Sequence, residues 1–206
     1  MKLFYSPGAC SLGIHILLEE TGAPYELALV NLREGQQFSP GFRDVNPKGK
    51  VPALVLAEGQ VLTEFPAIAF WLAMSFPQAR LIAAGDLRAQ ARALELMDYV
   101  VATVHMRGFT LARLPQKFAD TPEAQARVRQ AGLGVVNEGL ANLAASLGDR
   151  DWFVDDFSIA DAAAFYVLNW AVGELRDIPE NLVAFHRRML ARPAVARALR
   201  QEGLAA

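Results

Sequence analysis

The texture of the chain changes once, and that change limits its fold more than any other feature. Up to Phe76, short apolar runs alternate with turn residues and helical stretches; beyond Asp86, alanine, leucine and charged residues recur at three- and four-residue spacing to the end. These are strong helix formers, and their spacing gives each segment one apolar face. The second part therefore reads as all helix, with segments at Leu87 to Leu111, Pro122 to Leu147, Ser158 to Gly173, Pro179 to Leu190 and Pro193 to Gln201. Between the two textures lies "PQARLIAAGDL", broken by Pro77 and Gly85, which reads as a linker.

The first part has its own order. "KLFY" is a strand stopped by Ser6-Pro7-Gly8, and "CSLGIHILLEETG" is a helix with Leu12, Ile16, Leu17 and Leu18 at helical spacing and Gly22 as its C-cap. "YELALV" alternates as a second strand, and the polar stretch from Asn31 to Asn46 is a long loop with room for one short helix. In "VPALVLAEGQVLTE" two apolar runs flank Glu58-Gly59, a hairpin signal, and "FPAIAFWLAMSF" follows as a helix with Pro66 in its first turn. The order β-α-β, loop, β-β-α predicts a mixed sheet with helices packed on it. The expected division is 1–77 for this α/β domain, 78–86 for the linker and 87–206 for an all-α domain.

Charge and cysteine content exclude several functions. A formal charge of -2 over 206 residues, without long basic or acidic blocks, leaves no footprint for nucleic acid or an anionic membrane. One cysteine cannot form an internal disulfide, and "MKLFYSPG" lacks the apolar core of a secretory signal, so a reduced, cytoplasmic setting is expected. The longest uncharged run, Phe65 to Ala79, falls short of the roughly 20 residues that cross a bilayer. Metal-ligand spacings, Walker sequences and Gly-x-Gly-x-x-Gly loops are all absent, so no metal site is expected.

Several residues could carry chemistry. Cys10 follows a Pro-Gly turn and opens a helix, where unpaired N–H groups and the helix dipole favour a thiolate below the reference pKa of about 8.5. It could equally pack as a small hydrophobe, since free cysteine is among the most buried residues. Val51-Pro52, at the entry to a strand, is a candidate cis peptide, although the dipeptide alone is weak support because only about 5–6% of X-Pro bonds are cis. Glu64 precedes a helix, where the N–H groups can receive a carboxylate ligand or where the side chain can simply favour the helix. "FSIADA" offers Ser158 and Asp161 as a capping box, a folding signal. His105 lies in the apolar "YVVATVHMRGF", whereas His15 and His186 read as surface or packing residues.

Taken together and in this order, "KLFYSPGACSL", "NPKGKVPAL", "LTE" before a helix, "FSIADA" and "ARPAV" resemble the cytosolic glutathione transferases. With His105 on the first long helix of the second part, the chain looks most like the bacterial beta class. The resemblance implies a thioredoxin-like N-terminal domain, an all-helical C-terminal domain, a homodimer, and glutathione as co-substrate near the domain cleft. It implies that the Val51 backbone pairs with the cysteinyl part of glutathione beside cis-Pro52, that Glu64 and Phe65 take the γ-glutamyl end, and that Cys10 and His105 flank its sulfur. The implied reaction is attack of the glutathione thiolate on a small apolar electrophile, held in a cleft of residues such as Phe109, Leu111 and Trp170, with thiol–disulfide exchange as a second activity.

Three positions depart from the family pattern. Phe65 adds a large ring where a small residue is common. Gly35 stands where a lysine often meets the glycyl carboxylate, leaving Arg33 and Lys50 as the basic candidates. Asp98 stands where Asn is common. These departures imply weakened glutathione binding and support a second reading, a non-catalytic ligand-binding or regulatory protein of the same fold.

Overall fold

The computed structural model describes residues 1–204; the last two residues of the expected helical domain lie outside the described residues. The first part contains β1 (Lys2–Tyr5), α1 (Ser11–Thr21), β2 (Glu26–Leu29), α2 (Pro40–Val45), β3 (Ala53–Val55), β4 (Val61–Thr63) and α3 (Phe65–Ser75). Its sheet has the order β2-β1-β3-β4; β1 pairs parallel with β2, and β1/β3 and β3/β4 are antiparallel. The short helix in the polar loop is α2, started by Pro40 and capped by the Ser39 hydroxyl. Val51–Pro52 is cis, directly before β3.

The second part is helical. α4 (Leu87–Asp98) widens to π geometry over Tyr99–Phe109 and closes as α5 (Thr110–Arg113), so one long helix spans the predicted segment. It is followed by α6 (Pro122–Leu147), α7 (Ile159–Glu174), α8 (Glu180–Leu190) and α9 (Pro193–Gln201). The capping box forms as expected: Asp161 accepts from the Ser158 N–H and hydroxyl, and also from the Phe153 N–H. Burial pushes the Asp161 carboxyl up to about 6, and those donors pull it back.

One continuous core joins the two parts, and α1 and α7 form its centre. Residues Ser11 to Leu18 of α1 and Ile159 to Leu168 of α7 are buried on every side, which is why neither helix is amphipathic. The contact depends on Gly13, where a Cβ would lie 2.6 Å from the Phe65 ring and 2.9 Å from the Ala162 carbonyl. A second close approach, at Gly132, seats α6 on the long helix, since a Cβ there would lie 2.5 Å from the Ala112 nitrogen.

The C-terminal end clamps the first part electrostatically. Arg192 pairs with Glu20 and Arg197 with Glu19, at the end of α1. Beyond them, Glu202 is buried and its carboxylate meets His15 Nδ1 at 2.9 Å. His15 is therefore an interior residue bonded across the two parts, and of the two places expected for it, surface or packing, the structure has the second. Its apolar neighbours Ile14 and Ile16 hid the polar pocket that α9 builds around it.

Candidate functional site

The turn between β1 and α1 carries the thiol. Gly8 adopts φ +67°, a conformation that favours glycine, and lets the chain turn back into the helix. Its N–H donates to Glu202 at 2.8 Å, and its carbonyl accepts from Trp170 Nε1 at 2.6 Å. Both backbone polar groups of Gly8 are thus fixed by the helical part. Two residues on, Cys10 is partly buried and its thiol donates to the Val51 carbonyl at 3.4 Å. The cis Val51–Pro52 turn consequently lies against the start of α1.

The thiol is not activated in the way its position suggested. Desolvation pushes the Cys10 pKa up to about 12; the N–H groups of Cys10 and Ser11 and the charge of Lys50 oppose this without reversing it, and the charge of Glu64 adds to it. Burial outweighs the helix start because Cys10 packs against the apolar core. Cys10 is a neutral thiol at pH 7.

Glu64 introduces α3 with φ +71°, an uncommon conformation for a residue with a side chain. Its exposed carboxylate accepts from Lys48 Nζ at 2.7 Å, and the same ammonium donates to Thr63 Oγ1 at 2.8 Å. No side chain caps α3 and Pro66 has no N–H, which leaves the Phe65 and Ala67 N–H groups as donors at the helix start. The Phe65 ring is buried beneath Gly13, with its centroid 5.4 Å from that of Tyr166. The expected crowding by this ring does not occur, because the helix turns the side chain into the core and only its backbone borders the site.

His105 closes the other side. It lies in the π stretch, a geometry common at functional positions. Its Nδ1 lies 3.2 Å from the Tyr166 hydroxyl, and its ring meets that of Trp170 edge-on at 4.9 Å. Burial, then the charges of Arg113 and Lys50, lower its pKa to about 4, so it is neutral at pH 7.

Among the expected residues, the fold joins Cys10 to the Val51–Pro52 turn with the charges of Lys50 and Glu64 felt at the thiol, and the charge of Lys50 is also felt at His105. The charges felt at Cys10 and His105 are those of Lys50, Glu64 and Arg113; Arg33 and Asp98 are exposed and do not act there. Gly35 sits in a left-handed turn within the polar loop from Asn31 to Asn46. Sequence reasoning missed Tyr166, Lys48, Arg113 and Glu202. Lys48 stood inside the quoted "NPKGKVPAL", and Tyr166 lies one helical turn before Trp170; Glu202 gave no local signal.

Two family models match the chain in tandem: glutathione S-transferase, N-terminal domain, over residues 8–74, and glutathione S-transferase, C-terminal domain, over residues 96–193. The chain belongs to the glutathione S-transferase family. It is 39% identical to the glutathione S-transferase GstA of Escherichia coli O157:H7 over 211 aligned residues, covering 99% of this chain and 100% of that one. Among solved structures it is similar to a bacterial beta class glutathione S-transferase from Sphingomonas chungbukensis, with TM-score 0.87, 35% identity and both chains covered in full. A sphingomonad glutathione S-transferase complexed with glutathione matches with TM-score 0.83, 39% identity and the same full coverage. The thioredoxin-like sheet with its helical second part is the fold of this family.

Proposed function

We propose that this family member is a glutathione transferase that joins the glutathione sulfur to small electrophiles, with residues 1–77 as the glutathione-binding domain, 78–86 as the linker and 87–206 as the helical domain facing the electrophile. The observation that carries this reading is the bond from Cys10 to the Val51 carbonyl of the cis Val51–Pro52 turn, together with the charge of Lys50, next to that turn, being felt at both Cys10 and His105. In it, the Val51 backbone holds the cysteinyl part of glutathione. The α-carboxylate of the γ-glutamyl end meets the Phe65 and Ala67 N–H groups, and Glu64 takes its ammonium. Lys50 supplies positive charge on the glycyl side, while Lys48 pairs with Glu64 at the γ-glutamyl end.

The chemistry follows from the protonation states. Neutral Cys10 can turn its one S–H from the Val51 carbonyl to the glutathione sulfur, and neutral His105 keeps Nε2 available, so the pair can hydrogen-bond that sulfur and favour its thiolate. The thiolate attacks the electrophilic carbon: a carbon–sulfur bond forms, the leaving group departs with its electron pair, and the thiol proton passes to solvent. Glutathione is the nucleophile, and the protein supplies position and electrostatics. In thiol–disulfide exchange the same glutathione thiolate attacks a disulfide sulfur and the other thiolate leaves; only a route that uses the Cys10 thiolate as nucleophile is set back by its pKa of about 12. The non-catalytic alternative loses its main support with the Phe65 ring turned inward.

The reading includes a homodimer and a cytoplasmic, detoxifying role. Phe70 and Met74 on α3 and Leu87 at the start of α4 are exposed and apolar, as a face between two copies requires. No helix among the described residues is long and apolar enough to cross a membrane. Glutathione with 1-chloro-2,4-dinitrobenzene, followed by thioether absorbance, tests the transfer; rates equal to the uncatalysed reaction would refute it.

A further inference from the structure

Arg113 closes α5 beside the reacting end, and its surroundings leave its hydrogen-bonding capacity largely unused. The guanidinium carbon lies 4.3 Å from the Trp170 ring centroid and 5.0 Å from that of Phe109, so the two rings hold it in place. One terminal nitrogen pairs with Glu174 at the end of α7. Arginine has five N–H donors in a planar fork; Nε is buried out of a ligand's reach, so the terminal nitrogens are the groups an incoming anion would meet, and among the described residues Glu174 is their one side-chain partner. Glu174 is 40% exposed, and an ion pair of that exposure is weak and readily exchanged.

Trp170 ties this cation to the chemistry. The ring that carries Arg113 also meets His105 at 4.9 Å, and its Nε1 holds the Gly8 carbonyl two residues before Cys10. An electrophile lying on Trp170 would thus have its reactive carbon near the glutathione sulfur and its far end at Arg113. A purely apolar molecule would bring nothing to the guanidinium. An anionic one would satisfy the fork in the bidentate manner that arginine favours.

Resting on the transferase reading above, we propose that the electrophile of this enzyme carries a carboxylate or a comparable anionic group, which replaces Glu174 on the Arg113 guanidinium while its aromatic or conjugated body lies against Trp170. Arg113 is then a specificity-determining residue, and the description of the substrate as merely apolar is incomplete. The Arg113–Glu174 pair is the resting partner arrangement of a subsite for negative charge.

The test compares two aryl chlorides of nearly the same shape, the anionic 4-chloro-3-nitrobenzoate and the neutral 4-chloro-3-nitrobenzamide, whose difference in intrinsic reactivity is the same for every variant. In each, the glutathione sulfur bonds to the carbon bearing chlorine, chloride leaves with the electron pair, and the thiol proton goes to solvent. The readout is the ratio of kcat/KM for the acid over the amide, in which effects on folding, glutathione binding or His105 cancel. Arg113→Gln should lower that ratio by about tenfold, the scale of one charge-assisted pair. Glu174→Gln should raise it by about threefold, through removal of a competing exposed carboxylate. The same ratio in all three proteins, with the amide still conjugated, overturns the anionic subsite and leaves the transferase reading standing. No conjugation of either compound by a parent protein that does conjugate 1-chloro-2,4-dinitrobenzene overturns the subsite alone, and no conjugation of any of the three overturns both.

Discussion

The carboxylate of Glu202 accepts the N–H of Gly8 at 2.8 Å, joining the last turn of the helical part to the turn that presents Cys10. The same carboxylate holds His15 on α1, so one buried side chain fixes both the start and the body of the site's first helix. Truncating one member of a buried pair costs about 3–5 kcal/mol. Glu202→Ala should therefore lower unfolding stability by that amount in urea, and Glu202→Gln, which keeps an acceptor for Gly8, by clearly less. Equal losses would show that the Gly8 bond contributes nothing.

Phe65 should matter to stability rather than to glutathione. Its ring fills the space between Gly13 and Tyr166, and a buried Phe→Ala change costs about 3–5 kcal/mol. Phe65→Ala is expected to unfold at markedly lower urea concentration while its glutathione affinity, read by calorimetry, stays within a few-fold of the parent. A large gain in affinity would mean that the ring does obstruct the ligand.

Cys10 should be a slow nucleophile in the ligand-free protein. With a folded pKa of about 12, above the unfolded value near 9, the neutral thiol is favoured by folding; that contribution is complete below pH 9 and is lost as pH rises toward 12. Iodoacetamide at neutral pH should react more slowly with Cys10 than with a model thiol. Cys10→Ala should keep measurable conjugation of 1-chloro-2,4-dinitrobenzene, because glutathione brings the reacting sulfur. Rapid alkylation would restore the activated thiol that the helix start suggested.

His105 has the opposite sign. Its folded pKa of about 4 lies below the unfolded 6.5, so its contribution to stability is complete above pH 6.5 and is lost as pH falls toward 4. Ring resonances of His105 should titrate near pH 4, and the rate profile should show no acid limb from this residue near pH 6.5. A titration midpoint at or above 6 would contradict a neutral His105.

Most of the architecture was legible because it is written in local patterns. The loss of strand signals after Asp86, the Ser158–Asp161 box and the Val51–Pro52 entry to β3 each depend on neighbours in sequence, and each is present in the fold. The site was legible only in part. Cys10 and His105 could be named, but their protonation depends on burial and on Lys50, Glu64 and Arg113, which come together only in three dimensions. Phe65 shows the same limit: its identity was plain, whereas the direction of its ring is set by the backbone at Glu64 and by the gap at Gly13. Glu202 was invisible because its partners lie 187 and 194 residues away.

The site's defining claim is that glutathione binds with its sulfur between Cys10 and His105. A crystal structure of the protein soaked with glutathione measures this most directly. The sulfur should lie within hydrogen-bonding reach of Cys10 Sγ or His105 Nε2, with the cysteinyl backbone paired to Val51 and the γ-glutamyl carboxylate at the start of α3. Glutathione bound elsewhere, or an empty site at millimolar concentration, would contradict it.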